Sequence, residues 1–234
     1  SKLTFTEEGG DTYTLTDSAD VEITSGTAFT VTLSSTDKAA VNQIVNKDGT
    51  ASTGGTTYNL AAAEDWAAGA SAAVAVADLT GNGITASSVA APAITSAAYN
   101  TGTGALTVTG SGFLKASGAA NDIDASAFTF TGEGGGTYTL TDTADVEITS
   151  GTTFTLTLSS TDKTAVNLLL NKAGTASTDA TAYNLAAAED WAAGADAAVT
   201  IADTGGNGIT VSIPTSSSSG GGGGGSNNDG TATS

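Results

Sequence analysis

Two turns of this chain carry side chains that could hold a metal ion. Asp78 and Asn82 stand in the run Asp-Leu-Thr-Gly-Asn-Gly, and Asp203 and Asn207 in Asp-Thr-Gly-Gly-Asn-Gly. Carboxylate and amide oxygens in a tight turn suit Ca²⁺, a hard cation that collects six or more oxygen ligands. A full loop of that kind adds further acids and a distal Glu, and neither turn has them. The same residues read as Asn-Gly hairpin turns between strands. Calcium is thus the only cofactor the sequence suggests, set against a reading with no cofactor.

Acidic pairs are the next candidates. Glu64-Asp65 and Glu189-Asp190 place two carboxylates side by side, as a general acid and base require. Consecutive positions on a helix do not face each other, so solubility and a favourable place near a helix N-terminus explain them better. Glu7, Glu8 and Asp11 form a third cluster, of which the corresponding stretch keeps only Glu133. Lys38 with Asn42, and Lys163 with Asn167, have the residue types of a Lys–Asn isopeptide crosslink, but a Lys in the first turn of a surface helix reads as solvated. Trp66 and Trp191 could stack on a sugar ring, though one Trp per unit in Ala-rich surroundings reads as a core anchor.

Composition removes most other chemistry. There is no His, Cys or Met, and the six basic residues are all Lys. Triads that need imidazole or thiolate, and Cys/His metal sites, are excluded, so no catalytic residue is assigned and the chain is expected not to be an enzyme. A net charge of −18 repels nucleic acid and anionic lipid, and no apolar run is long enough to span a bilayer.

These residues sit in elements that recur. Residues 1–88 align with 126–213 without a gap, and 22 of the 88 positions differ. Tandem copies of this kind mark one structural unit used twice. From position 2 to 33, apolar residues alternate with Thr (Leu3, Phe5; Tyr13, Leu15; Val21, Ile23; Phe29, Val31, Leu33), which predicts three or four short antiparallel strands. Ser34 to Asp37 then offers an N-cap, and Val41, Ile44 and Val45 follow at helical spacing. A second short helix is predicted over 60–68, and strands over 72–77 and 84–87.

Pro92 begins a stretch with no counterpart ahead of the first copy. It predicts two strands, 93–97 and 105–109, around a Gly-rich turn. The units are therefore expected at 1–88, lacking its two opening strands, and at 89–213, complete, with 214–234 as a Ser/Gly-rich tail or linker. A chain starting at Ser1, without Met or signal peptide, reads as a mature or excised piece.

The runs PAITSAAYNTGTGALTVTGSGF, FTVTLSSTDKAAVNQIVNKDGT and TTYNLAAAEDWAAGA resemble the Ig-like repeat modules of large secreted bacterial surface proteins: adhesins, surface-layer proteins and type I-secreted repeat proteins. The resemblance spans nearly all of 1–213. It implies a mainly β fold of two tandem Ig-like β-sandwich domains, each with an inserted pair of short helices. It also implies an extracellular location and a role as filament, coat or stalk. Self-association by strand exchange between neighbours is the expected partnership, with a calcium- or glycan-binding adhesion module, contacting a glycan or host surface, as the alternative.

Overall fold

The alternating pattern of the first copy becomes a three-stranded antiparallel sheet in the computed structural model, which describes residues 2–116, 118, 122–148, 150–195 and 199–214. Strand β1 (Leu3–Thr6) lies between β2 (Thr12–Thr14) and β3 (Asn59–Ala62), with Phe5 opposite Tyr13 on one side and Leu60 on the other. Helix α1 (Ser35–Ile44) starts as its cap predicts: the Ser34 hydroxyl accepts from the Asp37 N–H at 3.1 Å. Val41, Ile44 and Val45 are buried.

The second copy contains the same parts and a second layer. Strands β6 (Phe128–Thr131), β7 (Thr137–Thr139) and β9 (Asn184–Ala187) form the equivalent sheet, and helix α2 (Ser160–Leu169) matches α1. Facing it is a mixed four-stranded sheet in the order β10 (Ile209–Ser212), β4 (Ala93–Asn100), β5 (Ala105–Ser111), β8 (Thr153–Thr157). The β4–β5 hairpin is its centre: β10 pairs with β4 in parallel and β8 with β5 antiparallel. Side chains alternate as a pleated strand requires, with Leu106 and Val108 of β5 and Phe154 and Leu156 of β8 turned inward. They share one core with Phe128, Phe130 and Leu185 of the opposite sheet. Thr hydroxyls line the outer faces, where Thr107 and Thr155 pair at 3.2 Å across strands and Thr129 and Thr139 at 2.8 Å.

The molecule is mainly β, with one α-helix per copy rather than a pair among the described residues. The helix expected over 60–68 is overruled by sheet pairing: Asn59–Ala62 docks on β1, and Asp65 then turns left-handed at φ 62°, as Asp190 does at 65°. Four residues added to an open sheet edge satisfy their amides at once, whereas a nine-residue helix is too short to be stable on propensity alone. The strand expected over 72–77 does not form: residues 72–74 turn, and 75–77 run on without regular structure. Strands expected at 21–23 and 29–33 do not form in the first copy, although residues 153–157, the partner of 28–32, are strand β8. Residues 215–234, expected as a tail or linker, lie outside the described residues.

Candidate functional site

In both candidate metal turns the Asn side chain is held as a donor. Asn82 Nδ2 donates to the carbonyls of Leu60 and Asp78 and to Asp78 Oδ1 at 3.0 Å, and Asn207 Nδ2 repeats the set on Leu185, Asp203 O and Asp203 Oδ1 at 2.8 Å. Asp203 Oδ2 accepts from the Ile94 N–H at 2.9 Å. Both Asp203 oxygens are therefore spent on the protein, and the geometry is that of a locked turn. Among the described residues no three acidic side chains gather as a metal cluster.

The acid pairs separate as well. Glu64 turns both carboxylate oxygens to the Val76 N–H at 3.0 and 3.1 Å, while Asp65 is exposed. Beside it Trp66 Nε1 donates to Val76 O at 2.7 Å; Glu189, Trp191 and Ile201 repeat the arrangement. Each Glu–Trp pair is a clasp on the chain ten to twelve residues further on.

Asp37 and Asp162, which sequence reasoning read only as part of a helix cap, turn out to be buried hubs. Asp37 accepts from the Tyr13 hydroxyl, from the N–H and hydroxyl of both Thr16 and Ser18, and from the Asp17 N–H, at 2.6 to 3.1 Å. Burial alone would push this carboxyl up, but donors from Ser18, Thr16, Tyr13 and Asp17 hold it well below the usual range. Asp162 is held the same way, with Thr143 in the place of Ser18. These carboxylates tie helix to sheet. The signal was a Tyr and two hydroxyl residues in Tyr-Thr-Leu-Thr-Asp-(Ser/Thr), but nothing in that run names the distant Asp.

Lys163 and Asn167 grip the β4–β5 turn. Lys163 Nζ donates to Gly102 O, Asn167 Nδ2 donates to Thr101 O at 3.2 Å, and Asn167 Oδ1 accepts from the Tyr99 hydroxyl at 2.8 Å. Their counterparts Lys38 and Asn42 have no hydrogen-bond partner on their side chains among the described residues.

The same difference runs through the apolar face of the first copy. Ile148 is 3% exposed and Ile23 58%; Trp191 is fully buried, whereas Trp66 is half-buried. Phe29 and Trp66 keep their ring contact at 5.7 Å, matching Phe154 and Trp191 at 6.1 Å. Phe113, which covers the second pair at 5.2 and 5.7 Å, has no counterpart over the first among the described residues. What remains is a groove of about 740 Å³ bordered by Leu3, Val21, Ile23, Phe29, Val31 and Trp66, with Glu22 and Lys2 on its rim.

Family models, curated proteins and solved structures offer no match to this chain. The internal copy is therefore the comparison that informs the site. Residues 93–124 have no counterpart beside the first copy among the described residues, and the groove lies where their equivalents would pack. No helix among the described residues is long and apolar enough to cross a membrane.

Proposed function

We propose that the chain is a structural repeat segment of an extracellular bacterial filament, surface layer or adhesin stalk, made of Ig-like modules that join neighbouring polypeptides by strand addition. One observation carries this reading: two nearly identical units stand in one chain, one with its second sheet in place and one with the matching edges unpaired. An unpaired edge is a template for another strand, and unlike a catalytic cleft it gains nothing from titratable groups. The Thr-lined sheet faces and the charge of −18 keep the rest of the surface from adhering indiscriminately. The runs that resemble secreted surface repeats supply the extracellular setting.

Negative-stain electron microscopy of the purified chain, extended at its C-terminus by a spare copy of residues 92–116 so that each chain brings a hairpin to its neighbour, tests the reading. Fibres or sheets with a regular repeat are the expected outcome. Separate particles that persist at high protein concentration would overturn it.

A further inference from the structure

Three sets of contacts hold residues 93–113 in the second copy, and the receiving half of each recurs in the first. The hairpin turn is held by Lys163 and Asn167, which bind Gly102 O, Thr101 O and the Tyr99 hydroxyl. Lys38 and Asn42 stand at the same places on α1 with no described partner. The ring of Phe113 lies against Phe154 and Trp191, and Phe29 and Trp66 present the same ring pair uncovered. The strands of the hairpin are bordered by β8 and β10. Residues 28–32 and 84–87 retain the alternation, with Phe29, Val31, Ile84 and Ala86 half-buried, but form no strand.

A fourth correspondence is electrostatic. Lys115, which follows the hairpin, lies in the field of Asp11, Asp122 and Glu147. Glu22, on the groove rim, is the first copy's counterpart of Glu147. An occupant that ends like Phe113-Leu114-Lys115 would bring a cation to it.

We infer that the groove of the first copy receives a β-hairpin from a polypeptide segment outside residues 1–234, one that repeats the inward pattern Ile94, Ala97, Tyr99, Leu106, Val108, Phe113. The inference rests on the strand-addition reading above and specifies its partner. It also fixes the register. The strand in the place of β4 runs parallel to 84–87, with its Ala97 equivalent opposite Ile84. The strand in the place of β5 runs antiparallel to 28–32, with its Leu106 and Val108 equivalents opposite Val31 and Phe29. A second copy of residues 1–234 is not the occupant, because its described residues hold one such hairpin for two receiving sites. Donating it would open the second copy's core, where Leu106 and Val108 are fully buried. Nor can residues 215–234 fill the groove, since they contain no aliphatic or aromatic residue larger than Ala.

The test mixes the full 234-residue chain with a synthetic peptide of residues 92–116 and follows amide hydrogen exchange. Protection at 28–33 and 84–87 is expected to rise by about a hundredfold or more, approaching that of 153–158 and 209–212. A peptide carrying Phe113→Ala should bind about a hundredfold more weakly, and Asn42→Ala in the chain should weaken binding by about tenfold. As a second arm, the peptide sequence is joined ahead of Leu3 through a Gly/Ser linker, and the same protection should appear. Unchanged exchange at 28–33 in both arms overturns the inference. So does protection that grows with chain concentration alone while 153–157 loses it, which would make the second copy the donor. Regular fibres without hairpin binding would leave the filament reading standing and remove this one; hairpin binding with scattered particles would do the reverse.

Discussion

Glu7 and its counterpart show how one side chain separates two copies of a fold. Gly132 stands where the first copy has Glu7, and a Cβ there would meet Leu169 O at 2.4 Å. Glu7 is fully buried, and neither carboxylate oxygen has a hydrogen-bond partner among the described residues. Burial pushes its carboxyl from 4.5 up to about 8. Between those values the folded chain keeps a proton that the unfolded chain releases, so stability falls as pH rises from about 4.5 to 8. Glu7→Gln should flatten that part of the pH profile in urea melts. Asp162 works in the opposite sense: its lowered pKa adds stability above about pH 4 that is lost as acid protonates it. Asp162→Ala strands several buried donors and should lower stability by about 2–3 kcal/mol at neutral pH. The two Trp residues give a paired comparison. Trp191→Ala removes a fully buried ring and should cost about 3–5 kcal/mol, measured by denaturant titration, and Trp66→Ala clearly less.

Among elements, the β4–β5 hairpin decides whether its neighbours are strands at all. Its return strand depends on Gly110, where a Cβ would lie 2.1 Å from Ala93 O and 2.5 Å from the Phe113 ring. Gly110→Ala should therefore destabilise the second copy by about 2 kcal/mol or more, and push Phe113 off Trp191, which near-UV circular dichroism would register. The caps, by contrast, are local devices. Ser34 and Ser159 each accept from the N–H three residues on, at 3.1 Å in both copies, and both helices form whatever the state of the second sheet. The Ala-rich 60–68 segment lies between these cases. Its composition favours helix, but a free edge of β1 within reach turned Asn59–Ala62 into strand.

For the whole molecule, the consequence is unequal halves. Among the described residues the second copy has a core of 25 buried residues in one cluster, and the first has four. Apolar burial is the main favourable term in folding, so the first copy should unfold at lower denaturant or temperature than the second. Calorimetry should show two transitions, with exchange of 28–33 and 84–87 fast well below the first. The copies touch through Asn46 Nδ2 to Lys115 O at 2.8 Å, Thr53 Oγ1 to Gly194 O at 3.0 Å, and the Lys115–Asp11 ion pair at 3.0 Å. Each copy nevertheless keeps a core cluster of its own, so two transitions are expected.

The amino-acid sequence alone determined what depends on neighbours along the chain: the 125-residue repeat, the Thr-apolar alternation, the helix caps and the Asn-Gly turns. It also excluded chemistry that needs His or Cys. Tertiary structure alone decided which alternating runs became strands. Residues 28–32 and 153–157 carry almost the same letters, yet only the second run is a strand, because only it lies beside β5. Strand hydrogen bonds are made to another segment, so a strand exists only where a partner is present, however well its own residues suit it. The same holds for Asp37 and Asp162, whose donors lie about twenty residues away, and for Lys163 and Asn167, whose purpose became visible only with the hairpin turn in their grip.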